Sequence, residues 1–286
     1  MGGEWGVGAS LTMESIPEKA RGIVSGILQE GYLLAALVYY AFYSWVGWRG
    51  MFVVGALPAF LVVYVRAKVK ESPAWQKTRA VKIDYLGVIR RRWPLFVYTI
   101  LLMTAFNFFS HGTQDLYPSF LQIQHHLTPA QVTTVAVIYN IGAILGGITF
   151  GAWSERIGRR RAIIIAALLS LPVIPLWALS SSVPLLALGA FLMQFMVQGA
   201  WGIVPTHLNE LSPDSVRGTF PGFTYQLGNL LASFNAPLQA KIAKAYGGNY
   251  GLALAMVAFG VALAVAILSG LGKERKGVVF GEEPTV

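Results

Sequence analysis

Five polar side chains recur inside an apolar run near the middle of the chain. Asn107, Ser110, His111, Gln114 and Asp115 stand at i, i+3, i+4, i+7 and i+8 within the hydrophobic stretch 93–121, the spacing of one stripe along a helix. Phe106, Phe108, Phe109 and Leu116 fall on its other sides. A carboxylate at the centre of a bilayer helix costs about 2.5–3.5 kcal/mol, so one kept there faces a cavity or a proton relay. His111 and Asp115, at i and i+4, can hydrogen-bond along one helix face and exchange a proton near neutral pH. The stripe therefore reads as the wall of a pathway for a solute and a proton.

The elements that position it are spans of a membrane. Of 286 residues, 55% are hydrophobic and 12% charged, with a mean hydropathy of +0.57, against about 25% charged in a soluble domain. The absence of cysteine excludes disulfides, a thiol nucleophile and a Cys-based metal site. No cofactor or metal is expected, and His125-His126 reads as a solvated loop pair with too few ligands for an ion. The +9 charge sits in short loops beside apolar runs and reports topology rather than nucleic-acid binding. The N-terminus has no secretory-signal pattern. Eight apolar spans follow a partial one, at about 22–43, 48–65, 93–121, 130–153, 162–179, 184–207, 219–238 and 251–271. If every span crosses, 19 of the 22 Lys and Arg residues lie on one side and only Arg49, Lys241 and Lys244 opposite. The positive-inside bias then places the connector 67–92 and the tail 273–286 in the cytoplasm, as in a plasma (inner) membrane protein.

An internal repeat fixes the expected architecture. Trp5-Gly6, Glu14, Pro17, Arg21-Gly22 and Gly26 return as Trp201-Gly202, Glu210, Pro213, Arg217-Gly218 and Gly222, at an offset of 196 residues throughout. Six spans fit within that offset. The arrangement resembles the major facilitator transporters, whose two parallel six-helix halves are related by an axis along the membrane normal. On that template the partial span is the fourth helix and the polar stripe lies on the seventh. The expectation is an all-α membrane protein with the major facilitator fold but without its first three helices. Residues 1–66 would be the remainder of the first half, 67–92 the connector, 93–272 the second half and 273–286 the tail.

Two kinds of charged turn join the spans. Gly151, Glu155, Arg156, Gly158, Arg160 and Arg161 match the major facilitator loop signature, Gly-x-x-x-Asp/Glu-Arg-x-Gly-x-Arg/Lys-Arg/Lys, at every position. Gly158 would permit the turn, and Glu155 and Arg156 would pair with neighbouring helix ends in one transport state. Glu14 with Arg21 and Glu210 with Arg217 occupy equivalent turns of the two repeats. Gating contacts and plain loop pairing are both open there. Counting about 1.5 Å per residue brings Glu4, Glu30, Asn107, His111, Asn140, Gln226 and Asn229 near mid-membrane, with Gln194 and Gln198 close by. Asn140, Gln194 and Gln198 read as polar glue between helices, and Glu4 and Glu30 as proton sites competing with His111 and Asp115. The Gly pairs 22/26, 142/146, 147/151 and 218/222 read as close helix packing.

Asn107-x-x-Ser110-His111-x-Thr113-Gln114-Asp115 resembles the seventh-helix signature of lactate/pyruvate–proton symporters of the sialate:proton symporter family. That signature ends in Thr where this chain has Ser119. Gln226-x-x-Asn229 is similar to the eleventh-helix motif of the same group. The resemblance implies alternating-access symport of a small organic anion with a proton, by a monomer in the bilayer. Asn107, Ser110, His111, Gln114, Gln226 and Asn229 would bind substrate, with the last two reaching it from the opposite half. His111 and Asp115 would couple the proton. The family's cationic anchor lies on early helices missing here, so a fragment lacking part of its cavity wall is expected. A sialic acid or acidic-sugar symporter is the alternative, and a polytopic membrane enzyme using His111 and Asp115 as an acid–base pair a more distant one.

Overall fold

The computed structural model describes residues 4–29, 31–60, 67–68 and 84–280, and its secondary structure there is entirely helical. The helices are α1 (Glu4–Ser15), α2 (Arg21–Gln29), α3 (Gly31–Ala56), α4 (Tyr85–Arg91), α5 (Trp93–Gln114), α6 (Tyr117–Ile123) and α7 (Pro129–Ile157). They continue as α8 (Arg159–Ser170), α9 (Ile174–Ala178), α10 (Val183–Trp201), α11 (Val204–Leu211), α12 (Phe220–Ala232), α13 (Asn235–Ala245) and α14 (Tyr250–Leu271). Among the described residues five helical stretches are long and apolar enough to cross a membrane: Trp93–Ile123, Pro129–Ile157, Arg159–Ala178, Val183–Leu211 and Tyr250–Leu271. Most of the expected connector, the end of the second expected span and the end of the tail lie outside the described residues.

Starts and breaks follow from local chemistry. Thr128 opens α7 with a capping box to Gln131, Asn249 caps α14 by accepting from Leu252 N, and Asp84 caps α4. Proline decides where the long spans break, because it lacks the N–H and crowds the carbonyl four residues earlier. Thus α5 stops at Gln114, four before Pro118, and α10 at Trp201, four before Pro205. Pro237 likewise ends α12 at Ala232, with Ser233 four before it. The polar stripe consequently does not ride one unbroken helix to Leu121: Asp115 sits at the break between α5 and α6. Gly47, at φ +64°, splits α3 where a loop is expected between the first two spans.

The core is formed by α5 to α10 and α14, with Phe106, Phe109, Phe120, Trp177 and Met193 fully buried. Helix α7 packs along α10, where Gly142 and Gly146 lie against Phe191 and Phe195. It also packs on α2, where a Cβ at Gly26 would stand 2.8 Å from the Gly147 carbonyl carbon. His125 corrects one expectation. Rather than being merely solvated, it packs edge-on against Phe120 at 4.7 Å, and burial together with neighbouring His126 lowers its pKa.

The sequence repeat is also a repeat of contacts. Ser10 Oγ donates to the Arg217 carbonyl at 2.9 Å and to Asn209 Oδ1, and Thr206 Oγ1 donates to the Arg21 carbonyl at 2.9 Å and touches Met13 Sδ. Arg21 Nε donates to Met13 O and Arg217 Nε to Asn209 O. Every residue in one set is matched by that 196 later or earlier in the other, so α1–α2 and α11–α12 meet across a local two-fold relation.

Candidate functional site

Helix α5 carries the polar stripe and divides it between two neighbours. On the α10 side, Gln198 Nε2 donates to Ser110 Oγ at 3.2 Å and Gln114 Nε2 to Gln194 Oε1 at 2.7 Å. Gln194 Nε2 returns a bond to Thr113 Oγ1 at 3.1 Å. Gln194 and Gln198 thus bind α10 to α5, as helix glue does, and Ser110 and Gln114 are engaged by that contact. Asn140 donates to the Ala136 carbonyl of its own helix. Replacing Gln194 by Leu is expected to cost about 1–2 kcal/mol, read as a lower thermal midpoint of the purified chain in detergent.

On the other side of α5, His111 Nδ1 lies 3.1 Å from Asp115 Oδ1, with the side chains 45% and 42% exposed. Asn229 of α12 is within hydrogen-bonding reach of His111, and of Tyr225 on its own helix. Gly228 permits this approach, because a Cβ there would meet the Met103 carbonyl carbon at 2.7 Å. The structure corrects the expectation for α12: Asn229 does not reach the site from an opposite half but from the helix packed directly alongside α5. Gln226, one turn away, lines a shallow cleft with Val7, Phe223 and Leu227 instead.

Asn107 is buried, and neither polar atom of its side chain has a hydrogen-bond partner among the described residues. The neighbouring backbone is pinned by Trp201, whose Nε1 donates to the Phe106 carbonyl at 3.0 Å. Glu30 and the Glu4 side chain lie outside the described residues. Three aromatic residues outside the sequence motifs for the site meet at Tyr225, which neighbours Asn229. Tyr225 lies 4.8 Å from Trp5 and 6.0 Å from Trp201, ring to ring, and Trp5 Nε1 donates to Gln29 Oε1 at 3.4 Å. The repeated Trp-Gly was the available signal, since both tryptophans of the repeat converge on Tyr225.

A second charged cluster lies at the end of the bundle that carries the repeated turns. Arg159 is fully buried and grips the Glu210 carboxylate with Nε and Nη2, both at 3.1 Å. Nη2 also reaches Glu155 Oε1 at 2.9 Å, and Nη1 donates to Ser154 Oγ at 2.7 Å. Glu155 accepts from the Gly22 backbone N–H, tying α7 to the start of α2. Gly158, at φ +98°, makes the turn that aims Arg159 inward. The loop signature treats Arg159 as a variable position, which is why sequence reading passed over it. Arg156 and Arg161 are exposed instead and make no side-chain hydrogen bond or ion pair among the described residues. Gly151 packs against Gly22.

The segment after α14 crosses this cluster. Arg160 Nε donates to the Ser269 carbonyl, its backbone N–H to Glu274 at 3.0 Å, and Lys276 Nζ to the Glu155 carbonyl at 2.6 Å. Arg21 donates to the Val278 carbonyl at 2.7 Å. The Phe280 ring lies between the repeat-related guanidiniums, 3.7 Å from Arg21 and 4.1 Å from Arg217. Arg217 pairs with Asp214 and stands 3.9 Å from Glu14.

A bundle of long apolar helices with a two-fold repeat of contacts defines a multi-pass membrane protein. Residues 108–284 match the Major Facilitator Superfamily family, and residues 1–84 match the Sugar (and other) transporter family. The chain belongs to the Major Facilitator Superfamily. It is 30% identical to the carboxylic acid transporter protein homolog of Saccharomyces cerevisiae, over 94% of this chain and 49% of that protein. It is 27% identical to the sialic acid transporter NanX of Escherichia coli, over 98% of this chain and 70% of that one. It is also 26% identical to the cis,cis-muconate transport protein of Acinetobacter baylyi, over 85% and 62% of the two chains. The fold superposes on the proton:xylose symporter XylE with a TM-score of 0.74 at 17% identity, covering 96% of this chain and 69% of that one. The chain therefore spans about half the length of the yeast relative.

Proposed function

We propose that this chain forms the substrate- and proton-handling part of a proton-coupled symporter for small carboxylates, with lactate or pyruvate as the leading substrates. The observation that carries this reading is the His111–Asp115 pair, 3.1 Å apart and nearly half exposed within a largely apolar span. Such a pair takes up one proton and returns it. Protonated His111 supplies the cation that a bound carboxylate needs, because no Lys or Arg lies deep in any apolar span. Asn229, beside His111, and Tyr225, beside Asn229, offer hydrogen bonds to the anion, and Asn107 lies one turn before His111 on the same helix. The printed names of the relatives agree in substrate chemistry, since a carboxylic acid, sialic acid and muconate all carry carboxylates.

The same reading assigns residues 1–66 and 93–272 to the two halves, 67–92 to a cytoplasmic connector and 273–286 to a cytoplasmic tail, in a monomer. Glu155, held by Arg159 within the second half, accepts from the Gly22 N–H of the first, and this contact is then the closed cytoplasmic gate, which joins the halves in one state and parts in the other. The test is uptake of labelled lactate or labelled sialate into proteoliposomes of the purified chain under an imposed pH gradient, with unlabelled pyruvate, sialate and muconate as competitors. Gradient-driven lactate uptake that pyruvate suppresses supports the assignment. Uptake of sialate with none of lactate transfers it to the sialic acid alternative, and uptake indifferent to the gradient removes the proton.

A further inference from the structure

The end of the bundle that carries the Arg159 cluster also holds a basic cavity that the transport reading does not use. It encloses about 460 Å³ between the α4–α5 junction, the α11–α12 turn and the segment after α14. Arg91, Arg92, Lys273, Arg275 and Arg217 line it, against one carboxylate, Asp214. Most other cations at this end are occupied: Arg159 by Glu210, Arg160 by Ser269 and Glu274, Lys276 by the α7 terminus, and Arg21 by Val278. Arg217 is taken by Asp214. By contrast, Arg91, Arg92, Lys273 and Arg275 make no side-chain hydrogen bond or ion pair among the described residues. Four cations with no partner among the described residues, around one concavity, raise a local positive potential that an anion relieves. Guanidinium forks suit the oxygens of a phosphate.

The cavity's position selects the source of that phosphate. It opens where α5 begins and α14 ends, and Pro94, Leu95 and Leu271 continue its wall toward the apolar spans. Leu271 is 74% exposed, Trp93 61% and Leu86 of α4 70%. Exposed apolar side chains beside a cationic pocket at a helix end are placed for acyl chains, with tryptophan at the level of the headgroups. We propose that this cavity binds the phosphodiester headgroup of an anionic phospholipid, held by Arg91, Arg92 and Lys273. Because Lys273 and Arg275 belong to the segment that runs on to Phe280, a bound headgroup also fastens that segment to the start of α5.

Native mass spectrometry of the full chain, delipidated in detergent and supplied with phosphatidylglycerol, phosphatidylcholine or inorganic phosphate, tests the proposal. Phosphatidylglycerol should stay bound at collision energies that strip phosphatidylcholine, and millimolar inorganic phosphate should not displace it. Arg91→Gln/Arg92→Gln/Lys273→Gln should retain about tenfold less phosphatidylglycerol. Lys241→Gln/Lys244→Gln, which removes cations elsewhere, should retain as much as the parent chain. Equal retention of the two lipids by the parent chain overturns the site without recourse to any variant. Unchanged retention by the triple variant overturns it too, and displacement by inorganic phosphate would make it a site for a soluble anion.

Discussion

Asp115→Asn is expected to hold lactate at the external concentration under a pH gradient that drives the parent chain to accumulate it. A gradient of about one pH unit is worth about 1.4 kcal/mol per proton, so one coupled proton supports about tenfold accumulation. The amide keeps the size of the carboxylate and can still hydrogen-bond His111, so the 3.1 Å contact need not be lost. What it removes is the negative charge that shares the proton with His111. Exchange of labelled for unlabelled lactate, which needs no net proton movement, should persist. An Asp115→Asn chain that still accumulates lactate about tenfold would move the coupling elsewhere, to Glu30 or Glu4 first.

Arg159→Met should be the most destabilising single change at the opposite cluster, by about 3–5 kcal/mol, because it leaves a buried carboxylate without its partner. Arg159 and Glu210 are both fully buried, and Arg159 also holds Glu155 and Ser154. Arg159→Met/Glu210→Met should recover most of the loss, since well-packed apolar residues often replace a buried ion pair at little cost. The thermal midpoint in detergent reads both variants. A single variant as stable as the parent would mean that Arg159 is not what keeps the Glu210 carboxylate buried. A double variant as unstable as the single one would place the effect in packing rather than in charge.

Much of this arrangement could be read from residue order. The helical period placed His111 and Asp115 together because i, i+4 contacts are set by one helix and need no knowledge of its neighbours. The 196-residue repeat gave the paired turns, and the structure returns it as the reciprocal contacts of Ser10 with Arg217 and Thr206 with Arg21. What order alone did not show depends on which helices become neighbours. Ser110 and Gln114 share the stripe with His111 in sequence, yet the rotation of α5 turns them onto Gln198 and Gln194. Arg159 occupies an unspecified place in a signature, and its importance appears only when Glu210, 51 residues later, meets it. Pro118 was present all along. Its consequence, a break that leaves Asp115 at a helix end, follows from the missing N–H.

The central claim is that His111 and Asp115 face water within the membrane rather than lipid. The chain has no cysteine, so single cysteines can be introduced without background. In proteoliposomes, Asp115→Cys should react with a membrane-impermeant thiol reagent, and Leu101→Cys, exposed on the apolar surface of the same helix, should not. Labelling of Leu101→Cys with none of Asp115→Cys would contradict the account.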